Sequence, residues 1–253
     1  MKIEAFIITI QNPKTVKNYF TKRLAGNFFN ISVISGNTCD VVNIDFDLAL
    51  SQRKYKRDLR VGEINCTKAH FTALKLAAFG QNDWCLVLED DALISTDLPQ
   101  FITEILGCSL NDTPTIILLG HSKTVSRHLW FQNLKQYKAL RFKTPNFEIV
   151  QRHNANFCGT VGYIANSKAA GILSNQDKLS HVADDWLFIS KRGINVLHLS
   201  VPIIYEALND QTSSTGNKVF IHHDPFSSNW IREWGSAIKA QIHRIYTCIF
   251  QPP

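Results

Sequence analysis

The chain has 253 residues, and its 27 lysines and arginines against 21 aspartates and glutamates give a formal net charge of +6. Hydrophobic residues make up 45% and charged residues 19% of the sequence, which excludes a disordered, collagenous or coiled-coil protein. We expect one globular domain whose core needs no disulfide or structural metal. The positive charge suits a partner with phosphates, such as a nucleotide, a nucleic acid or an anionic membrane.

The six cysteines lie at wide, irregular spacings and do not form the CxxC pair of a zinc ribbon or thioredoxin-like site. They are typical of buried thiols in a cytosolic protein. The opening sequence MKIEAFIITIQN has too few apolar residues for a signal peptide and contains an acidic one, Glu4. No apolar run approaches the roughly 20 residues that cross a membrane, and we therefore expect a cytoplasmic protein.

The predicted elements alternate between strands and helices. Residues 3–10 form a nearly continuous apolar, β-branched run, typical of a strand buried on both faces of a parallel sheet. A helix over 13–24 starts with proline in its first turn, and apolar spacing predicts a helix over 62–79 that Gly80 ends. Further strands are predicted at 28–34, 84–88, 115–119 and 160–165. This order predicts a single α/β domain with a mostly parallel central sheet flanked by helices.

The sequence VLEDDA at 87–92 brings three consecutive carboxylates, Glu89, Asp90 and Asp91, to the end of a predicted strand. Ligands of such sheets bind at the carboxyl ends of the strands. Adjacent carboxylates repel one another unless a cation or solvent relieves the repulsion, and oxygen ligands here suit Mg²⁺ or Mn²⁺. The alternative is a solvated acidic turn that caps the next helix.

Two further motifs carry ionisable side chains. Asp184 and Asp185 lie in the first turn of a predicted helix, where one is a candidate general base and where simple N-capping is the alternative. On the helix over 62–79, Glu63 and His70 share a face with Cys66 or Thr67, although a lone histidine is more often a core or surface residue. His222 or His223 is a candidate nitrogen ligand for a manganese site.

A basic cluster precedes this helix and comprises Arg53, Lys54, Lys56, Arg57 and Arg60. Such a run is usually a solvated helix face, and a phosphate-binding face is the alternative. No RNA-recognition motif, zinc finger or helix-turn-helix accompanies it, so we expect no nucleic-acid partner. The sequence also lacks a Walker A loop, a GxGxxG fingerprint and a GxSxG elbow.

Taken together, the motifs resemble glycosyltransferase family 25, the lipopolysaccharide-biosynthesis glycosyltransferases. The resemblance covers residues 1–215 and leaves residues 216–253 as a C-terminal helical extension. It is carried, in chain order, by GEINC-x3-H (62–70), LVLEDDA (86–92), GTVGY (159–163) followed by NSKAA, ADDWL (183–187) and, more weakly, IYEALNDQTSST (204–215).

The resemblance implies a GT-A-like fold and inverting transfer of a hexose to a lipopolysaccharide or lipooligosaccharide acceptor. It implies Mn²⁺ or Mg²⁺ and a UDP-sugar donor, UDP-galactose first and UDP-glucose as the alternative. Glu89, Asp90 and Asp91 would form the DxD-like element, with Asp91 on the metal and Glu89 on the metal or the ribose. Asp184 or Asp185 would be the base that deprotonates the acceptor.

The resemblance also implies a donor pocket beyond the acidic triplet. Glu63 and His70 would line this pocket, and Gly159 with Thr160 would let the backbone approach the sugar closely. Two other classes of protein stay open. A sugar nucleotidyltransferase usually has a glycine-rich, basic N-terminal loop, which is absent here, whereas an inactive sugar-binding relative would have no use for the intact triplet.

The C-terminal sequence predicts an amphipathic helix whose apolar stripe comprises Trp230, Trp234, Ile238, Ile242, Ile245 and Ile249. Its basic side chains, Arg232, Lys239, His243 and Arg244, lie largely off that stripe. Such a helix suits the anionic inner face of the inner membrane. The alternative is that the stripe packs on the sheet as part of the core.

Overall fold

The computed structural model describes most of the first 207 residues and parts of the C-terminal segment. The described residues are 3–24, 28–36, 44–121, 130–131, 134, 138–152, 159–207, 231, 234–235, 237–239 and 241–242.

The strands, in chain order, are β1 (Ile3–Thr9), β2 (Phe29–Ser35), β3 (Asp45–Phe46), β4 (Trp84–Glu89), β5 (Ala92–Ile94), β6 (Thr115–Leu118), β7 (Gly120–His121), β8 (Lys138–Lys143), β9 (Glu148–Arg152), β10 (Gly162–Asn166), β11 (Lys178–Leu179), β12 (Asn195–Leu199) and β13 (Ile204–Glu206). The helices are α1 (Pro13–Arg23), α2 (Leu48–Tyr55), α3 (Val61–Phe79), α4 (Leu98–Leu106), α5 (Ser167–Ser174) and α6 (Trp186–Ser190).

An eight-stranded sheet forms the centre of the fold, in the order β2-β1-β4-β10-β6-β12-β9-β8. β1 pairs in parallel with both β2 and β4, and β6 pairs in parallel with β12. β10 lies antiparallel between β4 and β6, and β9 is antiparallel to its neighbours β12 and β8. The predicted α/β class with a central sheet flanked by helices is confirmed. Six of the eight strands run in one direction, but four of the seven strand pairings are antiparallel because β10 and β9 run the opposite way.

Helices cover both faces of this sheet, which explains why its inner strands are apolar throughout. Successive side chains of a strand point to opposite faces. Leu88 of β4 packs in the same core as Phe20 of α1 and Phe101 of α4, whereas Val87 packs in the opposite core with Trp186 of α6. Two buried faces therefore replace the alternation of a half-exposed strand.

The start and stop signals of the two long predicted helices are confirmed. α1 begins at Pro13 behind the N-cap Asn12, whose side chain accepts from the amides of Lys14 and Thr15. α3 ends before Gly80. α2 and α4 are not among the elements that the sequence predicts.

A small three-stranded sheet lies beyond the carboxyl end of β4, in the order β5-β13-β7. Ala92, the residue after the acidic triplet, pairs with Glu206 of β13. β7 passes so close to β13 that a Cβ on Gly120 would stand 2.1 Å from the carbonyl oxygen of Ile204, which only glycine permits. This sheet brings Glu206 to the acidic triplet.

The described residues of the C-terminal segment, 231, 234–235, 237–239 and 241–242, are helical. The division into a domain of residues 1–215 and an extension of residues 216–253 stays a prediction. Within the described ranges, no helix is long and apolar enough to cross a bilayer.

Candidate functional site

Four sequence motifs meet at the carboxyl end of β4. Glu89 is the last residue of that strand, and Asp90 and Asp91 form the turn into β5. His70 reaches Glu89 from α3, and Thr160 reaches it from the segment before β10. Gly159 in turn contacts Asp184, just before α6. Side chains that lie far apart in sequence therefore form one acidic site.

Glu89 is held by three donors through a single carboxylate oxygen. Its Oε1 accepts from Thr160 Oγ1 and lies 3.4 Å from His70 Nε2 and 3.9 Å from Cys66 Sγ. Burial by itself raises the pKa of Glu89. The hydrogen bond and charge of His70 and the hydrogen bonds of Thr160 and Cys66 outweigh burial and lower that pKa. Glu89 is thus a stabilised, ionised carboxylate.

His70 lies beneath Glu89 and is 3% exposed. Its second ring nitrogen, Nδ1, lies 3.1 Å from the hydroxyl of Tyr163 on β10, and the two rings stack. The neighbouring Cys66 carries a protonated thiol, because burial and the nearby Glu89 raise its pKa well above the usual value. The structure thus brings His70 and Cys66 together with the acidic triplet.

Asp90 and Asp91 differ in their hydrogen bonds. Asp90 accepts from Thr9 Oγ1 at the end of β1, and burial followed by the charge of Glu89 raises its pKa. Asp91 Oδ1 is buried without a hydrogen-bond partner in the described part of the chain. Burial and the charges of Glu89, Glu206 and Asp90 raise the pKa of Asp91 to about 8.

Asp91 supplies the test of whether a divalent cation fits this site. A buried carboxylate oxygen without a donor is costly, and three further carboxylates add repulsion. A cation would relieve both costs, and oxygen donors are the ligands that Mg²⁺ and Mn²⁺ take. The residues present therefore fit the metal that the acidic triplet predicts.

The two aspartates before α6 have different environments. Asp185 is the N-cap of α6, since its Oδ1 accepts from Phe188 N–H at 2.9 Å. Its Oδ2 accepts from the Tyr55 hydroxyl at 2.6 Å and lies 2.5 Å from Lys54 Nζ. Burial raises the pKa of Asp185, but Lys54, Tyr55 and the capping amide outweigh burial and lower it.

Asp184 is the more buried of the two and carries no paired cation among the residues that the structure describes. Gly159 N–H donates to its Oδ2 at 2.8 Å. Gly159 has a φ of 90°, a left-handed conformation that favours glycine. Burial raises the pKa of Asp184, the Gly159 amide lowers it and the charge of Glu89 raises it again, so the net direction is upward.

Glu63 caps the N-terminus of α3. Its two carboxylate oxygens accept from the guanidinium of Arg57 at 2.6 and 2.8 Å, and Oε2 also accepts from Arg60 N–H at 2.9 Å. That last bond is half of a capping box. The hydrogen bonds described for the Glu63 carboxylate are with basic residues of the α2–α3 connection.

The basic cluster of residues 53–60 also takes part in the site. Lys54 pairs with Asp185 and lies over the ring of Phe188, 3.9 Å from its centroid, while Arg57 pairs with Glu63. The sequence predicted a solvated or phosphate-binding face and gave no signal for the Lys54–Asp185 pair, since nothing local links residue 54 to residue 185.

One group of potential metal ligands is compact within the described ranges. It consists of Cys66, His70 and Glu89, whose ligand atoms all lie within 4.8 Å of one another. Asp91 is not a member of this group, and His222 and His223 lie outside the described residues.

In open α/β sheets ligands bind at the carboxyl ends of the strands, and the acidic turn of this chain lies at that position of β4. Residues 2–188 match the model of glycosyltransferase family 25 (LPS biosynthesis protein). Because the match covers most of the chain, the chain belongs to this family, and the predicted resemblance is confirmed. The description of this family is that of glycosyltransferases and lipopolysaccharide-biosynthesis proteins. No curated protein matches the chain in a sequence search.

Three solved structures resemble the fold at low identity. Residues 1–349 of S. aureus TarS share 16% identity at a TM-score of 0.46, covering 81% of this chain and 60% of that one. A putative glucose-1-phosphate thymidylyltransferase from Bacillus anthracis has 12% identity and a TM-score of 0.39, covering 95% and 96% of the two chains. The inositol-1-phosphate CTP transferase from T. maritima has 12% identity and a TM-score of 0.35, covering 93% and 96%. At these values the likenesses say nothing about activity.

Proposed function

We propose that the protein is an inverting, metal-dependent hexosyltransferase that moves galactose from UDP-galactose to a saccharide of lipopolysaccharide or lipooligosaccharide. The observation that carries the proposal is the buried, unpartnered oxygen of Asp91 within a cluster of carboxylates. A nucleotide diphosphate reaches such a cluster only with a cation between the two negative groups. UDP-glucose is the alternative donor, since the choice depends on one hydroxyl.

Asp91 is the proposed protein ligand of this cation, which when bound would stabilise charge on the diphosphate leaving group. Asp90, held by Thr9 Oγ1, would orient the turn that carries Asp91. Glu89 already accepts from Thr160 and lies against His70. We therefore infer that Glu89 contributes charge and positions the segment before β10, and that His70 supports the donor pocket from below.

Asp184 is the proposed general base. A base needs a carboxylate that is free to accept a proton, with a pKa raised towards the working pH. Asp184 has a raised pKa and no paired cation among the described residues, whereas Lys54, Tyr55 and Phe188 hold Asp185 as an ionised helix cap. The Gly159 amide would orient Asp184, and Gly159 with Thr160 would form the rim that meets the sugar.

A donor screen tests the proposed activity. The full chain is incubated with UDP-galactose, UDP-glucose and other UDP-sugars, with Mn²⁺, with and without truncated lipopolysaccharide. We expect UDP release that needs both acceptor and metal and is fastest with UDP-galactose. Faster UDP release from UDP-glucose would show that UDP-glucose, and not UDP-galactose, is the donor. Pyrophosphate formation from a sugar phosphate and a nucleoside triphosphate would show that the protein is a nucleotidyltransferase. Donor binding without turnover would show that it is an inactive sugar-binding relative.

We further propose that the C-terminal helix associates with the anionic inner face of the inner membrane. Trp234 packs on Phe131, with ring centroids 4.9 Å apart, and Ala237 is buried. Three isoleucines are instead exposed, namely Ile231, Ile238 and Ile242, by 71%, 58% and 62%. The contact of Trp234 with Phe131 shows that this part of the helix packs against the rest of the protein. The exposed isoleucines and the positive net charge support membrane association of the exposed side.

Vesicle co-sedimentation tests this surface with a variant designed to stay folded. We expect the wild-type chain to sediment with anionic vesicles at low salt, and Ile238→Glu/Ile242→Glu to stay in the supernatant, because these exposed side chains contribute little to the core. Phe79→Glu, at an 80% exposed position on α3, should bind like the wild type. Failure of the wild type to bind, or unchanged binding of the double variant, would contradict the proposal.

A further inference from the structure

Three chemically different metal donors lie side by side where α3 crosses the end of β4. Cys66 and His70 are four residues apart on α3, a spacing that puts both side chains on one helix face. Glu89 closes the group from the last position of β4. We call these three residues the thiol–imidazole–carboxylate cluster.

The distances within the cluster approach those around one tetrahedral ion. Ligand atoms at about 2.0–2.3 Å from Zn²⁺ lie roughly 3.3–3.7 Å from one another. In the structure, His70 Nε2 lies 3.4 Å and Cys66 Sγ lies 3.9 Å from Glu89 Oε1, and every pair of ligand atoms is within 4.8 Å. Side-chain shifts of less than about 1 Å would close the group around an ion.

The surroundings of the cluster resemble the outer shell of a metal site. A metal-binding histidine normally has its second ring nitrogen bonded to another group, which sets the ring orientation. His70 Nδ1 lies 3.1 Å from the Tyr163 hydroxyl, and Tyr163 is buried. Glu89 keeps a hydrogen bond from Thr160 Oγ1, as metal-binding carboxylates usually do. Both supporting groups come from the β10 segment.

The donor set selects the kind of ion. Thiolate and imidazole favour Zn²⁺ and similar transition metals, whereas Mg²⁺ and Ca²⁺ take oxygen ligands. Asp90 and Asp91 follow Glu89 directly in the chain, and the carboxyl groups of this turn favour a dication nearby. A site with three protein ligands leaves a fourth tetrahedral position for water or substrate.

We propose that Cys66, His70 and Glu89 bind one zinc-type ion, at a site distinct from the Mg²⁺ or Mn²⁺ position at Asp91. As the metal bonds form, the thiol proton of Cys66 leaves to solvent, and His70 gives up the proton on Nε2 and keeps one on Nδ1, which faces the Tyr163 hydroxyl oxygen. The ion would join α3 to the end of β4 and so hold the start of the acidic triplet. This inference does not rest on the transferase activity, because its test measures metal ligation alone.

Co²⁺ is the probe, since a cobalt–thiolate bond produces a near-ultraviolet charge-transfer band and tetrahedral Co²⁺ has intense visible bands. The full chain is first freed of metal with a chelator and then titrated with Co²⁺. We expect one equivalent to produce both sets of bands and Zn²⁺ to remove them. Cys66→Ser should abolish the charge-transfer band, whereas Cys108→Ser, a half-buried thiol beside α4, should retain it.

Two further variants separate the site from its surroundings. Tyr163→Phe keeps the buried ring and removes only the hydroxyl beside His70, and it should weaken Co²⁺ binding by about 10- to 100-fold, as loss of an outer-shell partner does. Asp91→Asn should keep the charge-transfer band. A wild-type chain without that band, a band that persists in Cys66→Ser, or one that disappears in Asp91→Asn overturns the proposal. The three side chains would then form a hydrogen-bonded network only.

Discussion

Asp91→Asn is expected to lower the rate of sugar transfer by at least about 100-fold, the usual effect of losing one group that stabilises charge in a transition state. The substitution keeps the shape of the side chain but removes the charge that the cation needs. The measurement is kcat with UDP-galactose and Mn²⁺, alongside a circular dichroism spectrum. Full activity in this variant, or in the wild type after exhaustive chelation, would refute the metal assignment.

Asp91→Asn should also stabilise the metal-free protein, whereas a substitution that damages the core would destabilise it. The pKa of Asp91 is raised from 3.8 to about 8 in the folded chain, so folding favours the protonated form. An ionised Asp91 therefore destabilises the metal-free fold increasingly as pH rises from about 4 to 8. Asp91→Asn should melt at a higher temperature than the wild type at pH 8 without metal, and Mn²⁺ should raise the melting temperature of the wild type only.

Asp184→Asn is expected to lower kcat by about 10²- to 10⁴-fold, the usual contribution of a general base. Binding of UDP-galactose should be nearly unchanged, because Asp184 is not among the residues proposed to hold the donor. The amide should still accept the hydrogen bond from Gly159, so the loop before α6 keeps its conformation. Kinetics with saturating acceptor and separate calorimetry of donor binding measure the two effects.

Asp185→Asn is the matched control for this result. Its amide oxygen still caps α6 through Phe188, and we expect kcat to change by less than about tenfold since asparagine is as good an N-cap as aspartate. A large loss of kcat in Asp185→Asn with little change in Asp184→Asn would show that Asp185, and not Asp184, is the general base. Equal, mild losses at both positions, or loss of donor affinity at either, would contradict a base in this motif.

Several elements could be predicted because their signals are local. Pro13 and Gly80 set one end each of α1 and α3, and both helices agree with the prediction to within one residue. The strand predicted from residue 160 begins at Gly162 and runs antiparallel to its neighbours. Strand direction depends on the chain path and has no local signal. The strands β5, β7 and β13 are too short, at two or three residues, to show any periodicity.

The candidate site was predicted in its parts but not in its connections. The acidic triplet, His70 and the two aspartates before α6 were identified from residue type and position. Glu63, predicted for the donor pocket, pairs with Arg57 in the described structure. The role of Cys66 as a neighbour of Glu89 was missed, although its helical spacing from His70 was a usable signal.

The α/β class, the family and the position of three carboxylates at a strand end could all be predicted from the amino-acid sequence. Periodicity, turn residues and motif order are properties of residues close together in the chain, so they can be recognised in the sequence. Which of these carboxylates has hydrogen-bond donors, and which has an unpaired oxygen, depends on the three-dimensional fold. Asp185 meets Tyr55 across 130 positions, Asp90 meets Thr9 across 81 and Glu89 meets Thr160 across 71. Burial and hydrogen bonding set the charge of a carboxylate, and here both come from residues far away in the chain.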